Sequence, residues 1–217
     1  MLGPSFSGSR FPGSRLPVSR LPVSGPLDSP FDPRSYAFGR TLKKWNALTA
    51  LLCGGVPAVV LAHYVWNPAA MAVGVVVGLL WSNFFEYAYH RWILHWPETD
   101  AFERHALHHS SVGRPNEPEH LPLGGSPKLV AMLFLINGAP VFLLDLWLRV
   151  GFASGIFIGF AIYTILSEDI HWRFHMNEWV PWFLEPARSH HLLHHDRPRG
   201  NYSVFLPLFD KLFGTWS

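Results

Sequence analysis

AAMAVGVVVGLLWSNFFEYAYH, residues 69–90, is the stretch from which the architecture can be read. Its apolar part, as far as Phe85, has about 17 residues, so as a helix rising 1.5 Å per residue it is roughly 25 Å long. That length crosses most of the hydrocarbon of a bilayer. Glu86 follows at once and His90 one turn later, so the run delivers a carboxylate to the membrane surface and an imidazole just beyond it.

Three similar runs lie on either side. WNALTALLCGGVPAVVLAHYVW (45–66) has no charge, and LVAMLFLINGAPVFLLDLWLRV (129–150) carries only Asp145 and Arg149, spaced i, i+4 where they can pair. FASGIFIGFAIYTILS (152–167) is short, able either to cross a thinned bilayer or to form a re-entrant hairpin with the run before it. Tight breaks at Asn67–Pro68 and Gly151 separate the runs within each pair, while residues 96–127 form a polar, Pro- and Gly-rich loop outside the hydrocarbon. The expected fold is all-α: an integral membrane protein with about four transmembrane helices in two hairpins and a histidine-rich helical cap. Both histidine regions and both termini then lie on one face. Arg34, Arg40, Lys43 and Lys44 precede the first span, and by the positive-inside rule that face is cytoplasmic.

Composition agrees with a membrane. Charged residues make up 15% and hydrophobic residues 49% of the chain, against roughly 25% charged in soluble domains. A net charge of +2 without a basic block argues against a nucleic-acid partner. The single cysteine, Cys53, lies in an apolar run, so the chain builds no internal disulfide and no CxxC metal site. Before the spans, SRFPG and two copies of SRLPV start at Ser9, Ser14 and Ser19. Proline at every fifth position prevents a continuous helix, so residues 1–40 are expected to be a disordered Pro/Ser/Arg-rich tail and 41–217 the membrane domain.

Eleven of the 13 histidines fall in four clusters at the ends of the apolar runs. Crowded free imidazoles would protonate near pH 6.5 and repel one another, whereas neutral imidazole is the commonest protein metal ligand. His105, His108 and His109 have i, i+3, i+4 spacing, as do His191, His194 and His195, and His171 and His175 are an i, i+4 pair. Each segment can aim two or three rings at one spot. His90 and His95, five apart, straddle a helix end or serve two metals. These ten are the expected metal ligands, too many for one ion; two six-coordinate ions with five each keep the open position that catalysis requires. His191 is preferred over His190 because it completes the HxxHH spacing. His63 and His120 read as interfacial and solvated side chains. Glu86, Asp169 and Asp196 are candidates to hold the second ring nitrogens of the ligands.

The series HxxxxH, HxxHH, HxxxH and HxxHH, with the closing NYSVFLPLFDKLFGT (201–215), resembles the membrane-bound fatty acid hydroxylase and sterol desaturase superfamily over about residues 40–217. The resemblance implies two Fe ions held by the ten histidines, with dioxygen as co-substrate, cleaving an unactivated C–H bond of a lipid, a fatty acyl chain in the first instance. No further catalytic residue is required. Zinc lacks the redox change such chemistry needs, although it can occupy such a site in a purified sample. Electrons are expected from a separate reductase, ferredoxin or haem protein, since nothing in the first 40 residues reads as a fused haem domain. HRWILH also resembles carotenoid hydroxylases, and the Asn-Tyr pair after the last box resembles sterol-directed members. A metal transporter is the competing class; it would place ionisable groups at mid-membrane, and here the boxes lie beyond the span ends.

Overall fold

The computed structural model describes residues 30–97, 99–123 and 125–217. The expected disorder of the first 29 residues lies outside them. No strand occurs among the described residues, and four helices are long and apolar enough to cross a membrane: α1 (Pro33–Tyr64), α2 (Pro68–Tyr89), α5 (Pro127–Leu148) and α6 (Ala153–His175). The protein is an all-α, multi-pass membrane protein. Short helices α3 (Asp100–Ser111), α4 (Glu117–His120), α7 (Glu185–Asp196) and α8 (Leu208–Leu212) complete it.

α1 and α6 both run well past their apolar stretches. Asp32 caps α1 by accepting from Arg34 and Ser35 backbone N–H groups, so the helix begins at Pro33 and residues 33–40, expected in the tail, are helical. With 32 residues α1 is about 48 Å long. Its first turns stand clear of the apolar run and contact α4, where Glu119 N donates to Ser35 Oγ at 3.1 Å. Lys43 there pairs with Asp169 at 2.7 Å. The fourth span is not short either: α6 runs without interruption through the HWRFH box for 23 residues.

Asp145 and Arg149 do not form the expected pair. Arg149 takes left-handed backbone (φ 55°) to end α5, and the buried Asp145 carboxylate accepts from the N–H groups of Val150, Gly151 and Ala153 at 2.9–3.2 Å. The first N–H groups of a helix lack partners within it, and a nearby carboxylate that satisfies several at once outcompetes one exposed cation.

Connections between α1 and α2 and between α5 and α6 are short, yet the principal packing crosses between these pairs: α6 lies chiefly against α2 and α1, and α1 against α5. Of the apolar window of α6, 61% is buried, against 22–28% for the other three, so α6 is the central post. Small residues make that possible. A Cβ at Gly74 or Gly78 would sit 2.2 or 2.5 Å from the carbonyls of Phe152 and Ile156, and one at Gly155 or Gly159 would sit 2.0 or 2.4 Å from those of Met71 and Val75. Two facing GxxxG stripes thus let the backbones of α2 and α6 touch, the means by which helices associate where lipid removes the hydrophobic drive.

Candidate metal centre

The second span ends in a π turn, His90–Leu94, with His95 as its C-cap. On an α-helix, residues five apart point about 140° away from each other. A π turn closes i to i+5 and brings them onto one side. The rings of His90 and His95 accordingly stack at 5.2 Å and 21°. The pair straddles a helix end and faces one place rather than two.

All ten predicted histidines converge, in two groups of five. His90, His95, His105, His109 and His194 form one, His108, His171, His175, His191 and His195 the other, and in each group the five ligand nitrogens lie within 4.8 Å of one another. The HxxHH boxes do not aim at one spot each. His105 and His109, i and i+4, share a group while His108 faces the other; likewise His191 and His195 pair while His194 crosses over. Neighbouring helix positions diverge by about 100°, so each box straddles both groups and ties them together.

Spacing and protonation fit a metal. The Nε2 atoms of His90 and His105, His95 and His105, His105 and His109, and His95 and His194 are 2.9–3.2 Å apart, as are those of His191 with His175 and His195. Two bonds of about 2.05 Å meeting at a right angle would separate their nitrogens by about 2.9 Å. The buried ring of His108 has no hydrogen-bond partner on either nitrogen. Burial, reinforced by neighbouring imidazoles, lowers the pKa values of His105, His108, His191 and His195, bringing His109 to about 3 and His194 to about 4. At neutral pH they are lone-pair donors, not cations.

The groups that hold these rings differ from those expected. Glu86 accepts from Tyr163, Ser167 and Val204 N, and Asp169 pairs with Lys43 and Arg173; Asp196, among the described residues, has no hydrogen bond to a ligand ring. Glu117 takes that role: its Oε1 is 2.8 Å from His175 Nδ1 and its Oε2 accepts from Gly113 N at 2.6 Å. Burial raises its pKa to about 7. Glu117 opens the short helix α4 within the polar stretch between the second and third spans, with no box spacing to mark it. In the other group backbone carbonyls serve: His90 Nδ1 bonds Tyr202 O, and His194 Nδ1 lies 2.6 Å from Gly200 O. That loop is fastened by Asp210, fully buried, which accepts from Tyr202 N and Ser203 N at 2.8 Å and from Thr215 Oγ1 at 2.8 Å. Burial raises the Asp210 carboxyl, but hydrogen bonds from His190 and the loop outweigh it and hold it at about 2. His190 itself stacks on Trp216 at 4.1 Å and stands outside both groups.

From both groups a cavity of about 120 Å³ descends between α1, α2, α5 and α6, past Leu133 to Phe134 and Phe160. His90 and His105 of one group and His108, His171 and His191 of the other stand at its head. A family model for fatty acid hydroxylases matches residues 75–215. The chain belongs to the fatty acid hydroxylase family. The match takes in both histidine groups, Glu117 and Asp210, while α1 lies outside it. No curated protein and no solved structure matches the chain.

Trp92, Trp96, Trp179, Trp182 and Phe183 are exposed, Trp172 is buried against Tyr36, and none of them lines the cavity. Exposed aromatics at the ends of spans suit a membrane interface.

Proposed function

We propose that this hydroxylase-family chain holds two iron ions, one in each group of five histidines, and uses dioxygen to hydroxylate an unactivated C–H bond of a lipid acyl chain. The observation that carries the reading is the apolar cavity headed by histidines of both groups. Five donors to a six-coordinate ion leave one position for a reactant. Bound iron supplies the redox change that dioxygen chemistry requires and zinc lacks.

The chain's own residues do the rest. Glu117 orients His175 and raises its basicity, as the carbonyls of Gly200 and Tyr202 orient His194 and His90. Phe134 and Phe160, edge to face at 4.8 Å, bound the cavity on the bilayer side and keep it dry. An acyl chain seated there has its polar end toward the cap and a methylene beneath the two groups. Electrons come from a separate reductase, ferredoxin or haem protein. Arg40 and Lys43, at the start of α1 near the cap, support a cytoplasmic position for the histidines by the positive-inside rule.

Expression in a host lacking such enzymes, with a reductase supplied and ¹⁸O₂ in the gas phase, tests the proposal by mass spectrometry of total lipids. One labelled oxygen on an acyl chain is expected. Loss of two hydrogens, or oxygen on a sterol or carotenoid, replaces the reaction or substrate; an unchanged lipid profile with both metals bound overturns the reading.

A further inference from the structure

A second cavity, of about 260 Å³, lies directly beneath the first. The upper cavity is lined on α2 as far down as Ser82, on α5 as far as Phe134 and on α6 as far as Phe160. The lower one takes up each helix where the upper stops: Trp81 to Val77 on α2, Phe134 to Val141 on α5, Phe160 to Ile156 on α6. Among the described residues only Phe134 and Phe160 line both.

These two rings are a packed partition between the cavities. They are 4% and 7% exposed and meet edge to face at 4.8 Å. Phe160 is backed by the ring of Phe85 on α2 at 6.2 Å, and Phe134 fits against α1 at Gly54, where a Cβ would sit 3.3 Å from its Cε1. Below the rings nothing polar asks for a partner. Trp81 Nε1 donates to Asn137 Oδ1 at 3.1 Å and Asn137 Nδ2 to Leu133 O at 2.8 Å, so the polar groups of the lower wall are already satisfied. A space of that kind suits hydrocarbon.

We propose that Phe134 and Phe160 determine the chain length of the lipid: their rings stop the acyl chain in the upper cavity and set how many carbons fit beyond the reactive one. The inference rests on the upper cavity being the acyl site. From His171 down to Phe160 is eleven residues of α6, or about 16 Å. An extended hydrocarbon advances about 1.25 Å per carbon, from its bond length and angle, so about 13 carbons fit above the rings. The lower cavity extends a further four residues on α6 and seven on α5, about 6–10 Å, which is room for about five to eight carbons more.

Competition among chain lengths tests it, by binding rather than turnover. The metal-loaded full-length protein in detergent is equilibrated with an equimolar mixture of the even-numbered saturated fatty acids from decanoic to tetracosanoic. Those retained are identified by mass spectrometry, relative to their share of the micelles. The wild type should show a sharp upper limit of chain length. Phe134→Ala joins the two cavities and should raise that limit by about five to eight carbons with both metals still bound, with Phe134→Leu as the substitute if that variant does not fold. Val141→Phe added to either variant refills the lower cavity and should bring the limit back, which a general loosening of the bundle would not do. No limit in the wild type, a limit unmoved in the folded variant, or one that Val141→Phe fails to restore overturns the assignment. Hydroxylated product without a shift of the limit refutes this inference alone, and a shift without any product refutes the proposed chemistry alone.

Discussion

Replacing Glu117 by Gln should weaken one metal ion and leave the other in place. The carboxylate serves two donors with two oxygens, His175 Nδ1–H at Oε1 and Gly113 N–H at Oε2. An amide has one oxygen and an NH₂ group, so in the variant the nitrogen must face one of those donors. Either His175 loses its acceptor or the Gly113 turn does. The His175 side chain is fully buried and that of Glu117 3% exposed, so water cannot take over. A charge-assisted hydrogen bond in such a place is worth about 1.5–3 kcal/mol. That range corresponds to roughly a 10- to 100-fold loss of metal affinity, the usual effect of removing a group that orients a ligating imidazole. The other group, whose His90 and His194 lean on backbone carbonyls, should be untouched. Anaerobic Fe(II) titration against a competing chelator reads the two affinities separately. Equal weakening of both sites, or of neither, would refute the assignment of Glu117 to one centre.

Three other outcomes follow from the same geometry. The double substitution His105→Ala/His109→Ala takes two ligands from one group and should halve the bound metal, whereas His108→Ala/His109→Ala takes one from each and should weaken both sites; equal metal content in the two variants, by elemental mass spectrometry, would contradict the grouping. Gly155→Leu drives a side chain into the Met71 carbonyl and should prevent α2 from seating on α6, read as loss of monodisperse protein in size exclusion; an unchanged profile and melting temperature would show that the stripe is dispensable. The metal-free protein should lose stability as pH falls below about 6.5, because unfolded imidazoles take up protons that buried ones, such as His194 at about 4 and His109 at about 3, refuse. Each buried imidazole held neutral contributes up to about 1.4 kcal/mol per pH unit. Melting temperatures of detergent-solubilised protein between pH 7.5 and 5 check the sign, and rising stability on acidification would refute it.

The helical membrane class, the four spans and the ten histidines as a set can be read from the residues alone, because bilayer thickness and helical pitch act locally and leave periodic marks along a chain. Residues 69–90 carry both marks at once. That His108 leaves His105 and His109 for His171 and His175 is settled only in three dimensions, because a metal site sits between helices and its membership depends on where their axes cross. The same holds for Glu117, which opens the short helix α4 and has no periodic spacing to mark it. The π turn at His90–Leu94 belongs here too: a spacing of five can mean divergence or convergence, and the backbone hydrogen bonds choose between them.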